Sequence, residues 1–226
     1  MLVSAADPTL FLFQARDVED ESLPGDLARY KTQVRKVTEW ARAYLTRPHA
    51  ALGRDGPVCP YTEPSLQRSL FWLTVYSGSD PSVEDVSPTI GRYGDWFQQL
   101  DPVTGKDAEY KAILVLFPEL QPARVSLIDE VQRSLKPRFT RRGLMLGQFH
   151  ERCDEPALWN PSFKPLRCRV PLLAIRSMVR TDAPFLMRDA ASLSAYLQWF
   201  GSDMPVRLRG AVREAALGFG LEVPEE

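Results

Sequence analysis

The segment Tyr110–Pro118, YKAILVLFP, is an almost unbroken apolar run. It is far too short for a bilayer, which takes about 20 residues. It lacks the polar alternation of a strand with one wet face. It therefore reads as a strand buried on both faces, central to a sheet, and the rest of the chain must supply the cover.

The flanking segments supply it. SLFWLTVYS (69–77) reads as a strand rich in aromatic and β-branched residues, LMLGQFH (144–150) as a third strand and VPLLAIRSMV (170–179) as a fourth. Between them lie helical patterns. PTIGRYGDWFQQL (88–100) carries Ile90, Tyr93, Trp96, Phe97 and Leu100 on one side, and SLIDEVQRSL (126–135) is expected to end at Pro137. ASLSAYLQWFG is a helix stopped by Gly201, and LRGAVREAAL is a last short helix. Near the N-terminus, Asp26 is a candidate cap. Leu27, Tyr30, Val34, Val37, Ala41 and Tyr44 then form the stripe of an amphipathic helix that Pro48 stops. The order β-α-β-α-β-β-α predicts an α+β fold: a mixed central sheet of about four or more strands flanked by helices, with an N-terminal amphipathic helix. Residues 1–25 are expected to be an N-terminal arm, with LFLF packing on something and DVEDESLPGD forming an acidic turn. Residues 26–226 are expected to be a single domain.

Composition limits the function classes. The 226 residues include 44% hydrophobic and 25% charged ones, enough for a sizeable core. A net charge of -1 gives no reason to expect nucleic-acid binding, and no apolar run suggests a membrane span. The start of the chain shows no secretory pattern, and three cysteines make no disulfide scaffold. The expectation is a cytoplasmic protein.

The chemistry-bearing residues cluster. Both histidines and all three cysteines fall in or beside two long loops, RPHAALGRDGPVCPYTEP (47–64) and ERCDEPALWNPSFKPLRCR (151–169). Alternation along LMLGQFH puts Leu144, Leu146, Gln148 and His150 on one face and Met145, Gly147 and Phe149 on the other. His150 thus closes a partly apolar face at a strand end. A neutral imidazole there suits an axial haem ligand, and Gly147 leaves room for a flat ligand or another backbone. A strand-end histidine bonded to a nearby carbonyl is the plainer reading. Two other options use the same residues: His150 and Cys153 joined by His49 and Cys59 in a zinc site, or Cys59 as a nucleophile beside a histidine. Most of the arginines flanking this strand read as a solvated surface. Arg176 is different, because it sits inside the apolar run LLAIRSM and needs a partner.

GRDGPVCPY, AILVLFP, GLMLGQFH, LWNPSFKPLR and VPLLAIRSMVRTDAPFL closely resemble an uncharacterised family found in actinobacterial biosynthetic gene clusters. The motif order is also similar to the YqcI/YcgG family, whose members include haem-dependent guanidino N-oxygenases. GPVCPY, LVLFP and LMLGQFH fall where that family has its proline-cysteine loop, its strand ending at a proline and its strand ending in histidine. Here one residue is inserted between Gly147 and His150. The resemblance implies a haem-dependent oxygenase acting on a nitrogen or carbon of a small amine or amino-acid-like metabolite. In that reading His150 ligates the iron and Arg167 and Arg176 hold the propionates. His49, Cys59 and Gln148 line the reaction side, and a reductant or redox partner supplies electrons. The alternative is a cofactor-free accessory protein that docks a pathway enzyme through Trp159, Phe163 and LFLF. A homodimer, through the first helix and the arm, is compatible with either.

Overall fold

The computed structural model describes residues 1–19 and 25–223. Much of the acidic turn expected over residues 17–26 lies outside the described residues. The chain opens with a small antiparallel pair, β1 (Leu2–Val3) and β2 (Phe11–Leu12), then α1 (Ala15–Glu19), α2 (Gly25–Ala28) and α3 (Lys31–Trp40). Beyond α3 come α4 (Thr62–Gln67), β3 (Phe71–Val75), α5 (Val83–Gln99), β4 (Ala112–Leu116), α6 (Ser126–Arg141), β5 (Leu144–Phe149) and β6 (Leu172–Ser177). The last helices are α7 (Ala183–Leu186), α8 (Ala190–Phe200) and α9 (Val206–Gly218).

The central sheet has the order β3-β4-β6-β5. β3 and β4 pair in parallel, and β6 runs antiparallel to both β4 and β5. β3, β4 and β5 therefore point the same way, with β6 reversed between the last two. The fold is α+β with a mixed four-stranded sheet, and the apolar run of β4 is interior, as its lack of alternation requires. On one face α5 and α6 bury Val86, Ile90, Phe97, Ile128, Val131 and Phe139 against Ile113, Val115, Leu144 and Leu146. On the other, α3 buries Val34 and Val37 against Leu73, Leu114, Leu116 and Leu172. Each such side chain contributes about 1.5–3 kcal/mol on leaving water. A third cluster, with Leu186, Leu193, Tyr196 and Val212, joins α7, α8 and α9.

Each edge strand is covered in part. Phe13 pairs with Leu73 through two backbone bonds of 2.9 and 2.8 Å, so the N-terminal segment shields β3. On β5, the carbonyl of Leu146 accepts from Gln132 Nε2 at 3.0 Å. Such covering keeps a strand edge from pairing with another chain.

Several boundaries differ from the sequence expectation. α6 runs four residues past Pro137 to Arg141. Proline removes one helical bond and costs about 3 kcal/mol in a helix interior. Here Phe139 and Thr140 are buried beyond it, and Thr140 Oγ1 donates to the carbonyl of Lys136 at 3.1 Å. α5 begins at Val83 rather than Pro88, because Ser82 and Asp85 form a reciprocal capping box. The first amphipathic helix is broken at Arg29–Tyr30 and ends in a π turn, Ala41–Leu45; Asp26 lies in the first turn of α2. Its stripe and the LFLF segment are both interior, with Leu10, Leu12, Phe13, Tyr30 and Val37 all buried. The surfaces expected to support a dimer or a docked partner at these two places are thus used within the chain.

Candidate functional site

In open sheets with parallel strands, ligands bind outside the carboxyl ends, where connections diverge and backbone groups are free. Here that end is bordered by Tyr76–Gly78 after β3, Glu119 after β4 and His150 after β5. Glu119 ties the border together: its carboxylate accepts from Tyr30 Oη at 2.5 Å and from the Gly78 amide at 2.8 Å. Those two bonds hold its pKa below the usual carboxylate value.

His150 is the first residue beyond β5 and is only 2% exposed. As alternation requires, it lies on the face of Leu144 and Leu146, towards α6. Its Nε2 lies 2.9 Å from Oδ2 of Asp129, in the first turn of α6. One turn further on, Gln132 reaches Leu146, so the helix is fastened to the strand where the pair forms. An ionised carboxylate only accepts, so Nε2 is the donor of this bond, and in the neutral imidazole Nδ1 carries the lone pair. Nδ1 is buried and has no hydrogen-bond partner among the described residues. Asp129 is 32% exposed, which makes it the solvent side of the pair.

A tight turn brings a thiol to the pair. The carbonyl of His150 accepts from the amides of Cys153 at 3.1 Å and Cys168 at 3.3 Å. Cys153 is buried, and donor atoms of Asp129, His150 and Cys153 all lie within 4.8 Å of one another. Burial first, then the charges of Asp129, Glu155 and Asp154, push the Cys153 thiol up to about 11; the Glu155 amide opposes them by a hydrogen bond to sulfur. Unaided, this sulfur is a neutral thiol near pH 7 and a poor nucleophile. Asp154 and Glu155 are paired outward with Arg167 at 2.9 Å and Arg188 at 3.3 Å.

The other residues picked out from the sequence lie elsewhere. His49 is exposed, stacks on Phe163 at 4.4 Å, and accepts the Ala51 amide at Nδ1. It borders a surface cleft of about 580 Å³ with Pro48, Gly53 and Arg54. Cys59 is half-buried close to Arg176, and Arg176 is bound to Asp182 by two bonds of 2.7 Å. Arg176 pairs in register with Ala112, at the amino end of β4, whereas His150 follows the carboxyl end of β5. Arg167 donates to the Cys153 carbonyl as well as to Asp154, which makes it a strut of the turn. Gln148 is half-buried, and its carbonyl lies 4.0 Å from Cys153 Sγ. The four-ligand group of His49, Cys59, His150 and Cys153 is not assembled; Asp129 joins His150 and Cys153 instead.

These placements bear on haem. The imidazole is enclosed with Nε2 engaged, both expected propionate arginines hold carboxylates of this chain, and the space beside Gly147 holds the Phe149 ring, 3.3 Å from where a Cβ would stand. This arrangement does not fit a porphyrin. A carboxylate, an imidazole and a thiol instead gather here, with oxygen, nitrogen and sulfur atoms within 4.8 Å of one another.

Nothing in the sequence singles out Asp129. It stands 21 positions from His150, and an acid in a first helical turn is ordinary.

Fold and site together define an α+β protein with a carboxylate–imidazole–thiol group, its imidazole and thiol buried, beyond the carboxyl end of β5. The family model described as a domain of unknown function, DUF6875, matches residues 34–211, and the chain belongs to that family. The matched span runs from α3 into α9 and includes the whole group. No curated protein and no solved structure matches the chain. No described helix is long and apolar enough to cross a membrane.

Proposed function

We propose that this chain is an enzyme acting on a small amine or amino-acid-like metabolite, with Asp129 and His150 as its acid–base pair. The observation that supports the reading most is the polarity of the pair. Asp129 faces outward and has no lysine or arginine partner among the described residues, while His150 is enclosed behind it. A half-buried carboxylate of this kind attracts a protonated amine. Asp129 meets the substrate, and the imidazole behind it holds its orientation and shares its proton through Nε2. Hydrogen-bonded pairs of this type contribute about 10²–10⁴-fold in proton-transfer steps. The substrate class comes from the family resemblance, and the oxygenase form of it adds a reductant as co-substrate.

The test is comparative metabolite profiling. Wild-type protein and Asp129→Asn, each as purified, are incubated with amine and amino-acid mixtures, with and without a reductant in air. The expected result is at least one amine consumed by the wild type and spared, by roughly a hundredfold in rate, by the variant. No amine turned over under any condition, or equal turnover by both proteins, overturns the reading.

A further inference from the structure

We propose that the cleft framed by residues 48–57 binds a small zwitterion, a free amino acid held by both of its charges. The site goes beyond the acid–base reading and does not depend on it. His49 of the cleft stands 6.1 Å from Tyr44, which packs on the α3 side of the sheet, whereas Asp129 and His150 lie on the α6 side. The frame is an Ω-type loop, a compact surface loop whose ends are close together. Pro48 and Pro57 form an antiparallel bridge at its neck, and the Val58 amide donates to the Arg47 carbonyl at 2.9 Å. The second long loop fastens it from outside. Asn160 Nδ2 donates to the Ala51 carbonyl at 2.8 Å. Gly53, at φ +77°, backs onto Trp159 so closely that a Cβ would stand 2.8 Å from the tryptophan Cβ. The cleft is about 580 Å³, within the range of small-molecule sites.

Three observations select the ligand. Arg54 and Asp55 adjoin in sequence, line the same cleft and carry opposite charges, yet neither forms an ion pair among the described residues. Arg54 instead donates to the carbonyls of Asp55 at 2.8 Å, Pro57 at 2.9 Å and Val58 at 3.2 Å. Such neutral partners fix the guanidinium without cancelling its charge, and they leave part of its fork of N–H donors unspent. Next, the amides of Arg54, Asp55 and Gly56 have no hydrogen-bond partner among the described residues. Successive free N–H groups in a turn are suited to anionic oxygens. Last, the His49 ring is held in place with its tautomer set. It stacks on Phe163 at 4.4 Å, and its Nδ1 accepts the Ala51 amide at 3.2 Å, so the proton of the neutral ring is on Nε2. A guanidinium, free amides and an imidazole N–H suit a carboxylate, and Asp55 beside them suits an ammonium. A simple anion would meet the charge of Asp55 and a simple amine that of Arg54. A zwitterion answers both. Because the loop is closed and stacked beforehand, little is left to order on binding.

The test titrates the full-length protein with free L-amino acids, one at a time, and reads the His49 ring by NMR. The chain has two histidines, so the ring signals are easily told apart. The expected result is at least one amino acid that shifts His49 saturably at one per chain. Its N-acetyl derivative lacks the ammonium and its primary amide lacks the carboxylate, so each should bind at least tenfold more weakly. Asp55→Asn should weaken binding by a similar factor. The Asp55 side chain has no partner among the described residues, so this variant should keep the free-protein His49 signal unchanged. Asp129→Asn should leave the His49 response and its affinity as in the wild type. Loss of the response in that variant would put the ligand at the acid–base pair and overturn the cleft site. The absence of any saturable shift at His49 also overturns it. Acetate or inorganic phosphate binding as tightly as the best amino acid would make the cleft a plain anion site and overturn the zwitterion. The two proposals fail separately. Amine turnover that depends on Asp129 without cleft binding keeps the acid–base pair and sinks this site. Cleft binding without any amine turnover keeps this site and sinks the enzyme reading.

Discussion

At the scale of single residues, position decides chemistry. The three cysteines illustrate it. Cys153 and Cys168 are both buried, and burial, foremost, pushes each thiol up to about 11. Cys59 is half-buried, at the edge of the cluster under α3. Alkylation requires an accessible thiolate. Iodoacetamide applied to folded protein at pH 7.5 should therefore label Cys59 first, with Cys153 and Cys168 following at least tenfold more slowly. Peptide mass spectrometry after quenching reads all three sites. Rapid labelling of Cys153 would mean that the turn after His150 opens readily and that the thiol is not held as described. Such distinctions are invisible in the sequence. It pointed to His150 through the alternation of LMLGQFH, and that alternation holds in the structure. The partner across the gap, Asp129, carried no pattern because the contact joins a helix to a strand end through tertiary packing alone.

At the scale of elements, local chemistry was legible wherever one rule dominated. β4 reads directly from its apolar run, and Gly201 caps α8 as expected. The failures arise where two rules compete. Pro137 is a stop signal, yet α6 continues because its last turn has something to bury. Phe139 is completely enclosed, and Gly94 of α5 lets its ring come within 2.9 Å of where a Cβ would stand. That approach holds the far end of α6 against α5, which outweighs the missing proline bond. Replacing Phe139 by alanine removes the anchor and leaves a cavity between the two helices. Phe→Ala changes in cores cost about 3–5 kcal/mol. Urea unfolding should show a loss of that size, and amide exchange at Arg138–Arg141 should quicken more than at the start of α6. A loss below about 1 kcal/mol would mean that the last turn is held by its own hydrogen bonds and not by packing.

At the scale of the whole molecule, stability couples to pH through a buried charge remote from the candidate site. Lys111 is 2% exposed, and its Nζ donates to the carbonyls of Leu100 and, at 3.1 Å, Pro102 while resting 4.5 Å from the Phe97 ring centre. It closes the end of α5 just before the central strand, where a cation meets the negative end of the helix dipole. Burial nevertheless pulls its pKa down from 10.5 to about 8. The folded protein thus releases this proton near pH 8, and the unfolded chain keeps it to about 10.5. Between those values the unfolded state binds more protons, so this residue makes stability rise with pH, by about 1.4 kcal/mol per unit at most. Below pH 8 its contribution is flat. The cysteines act oppositely: raised from 9 to about 11 in the folded state, they lose stability over that interval. The bare pH profile therefore mixes both signs, and a comparison with Lys111→Met separates them. The wild-type minus variant difference in unfolding free energy should increase by about 1–2 kcal/mol between pH 7.5 and 9.5. A flat difference would show that Lys111 keeps its proton in the folded state, held by the two carbonyls and the ring more strongly than burial opposes it.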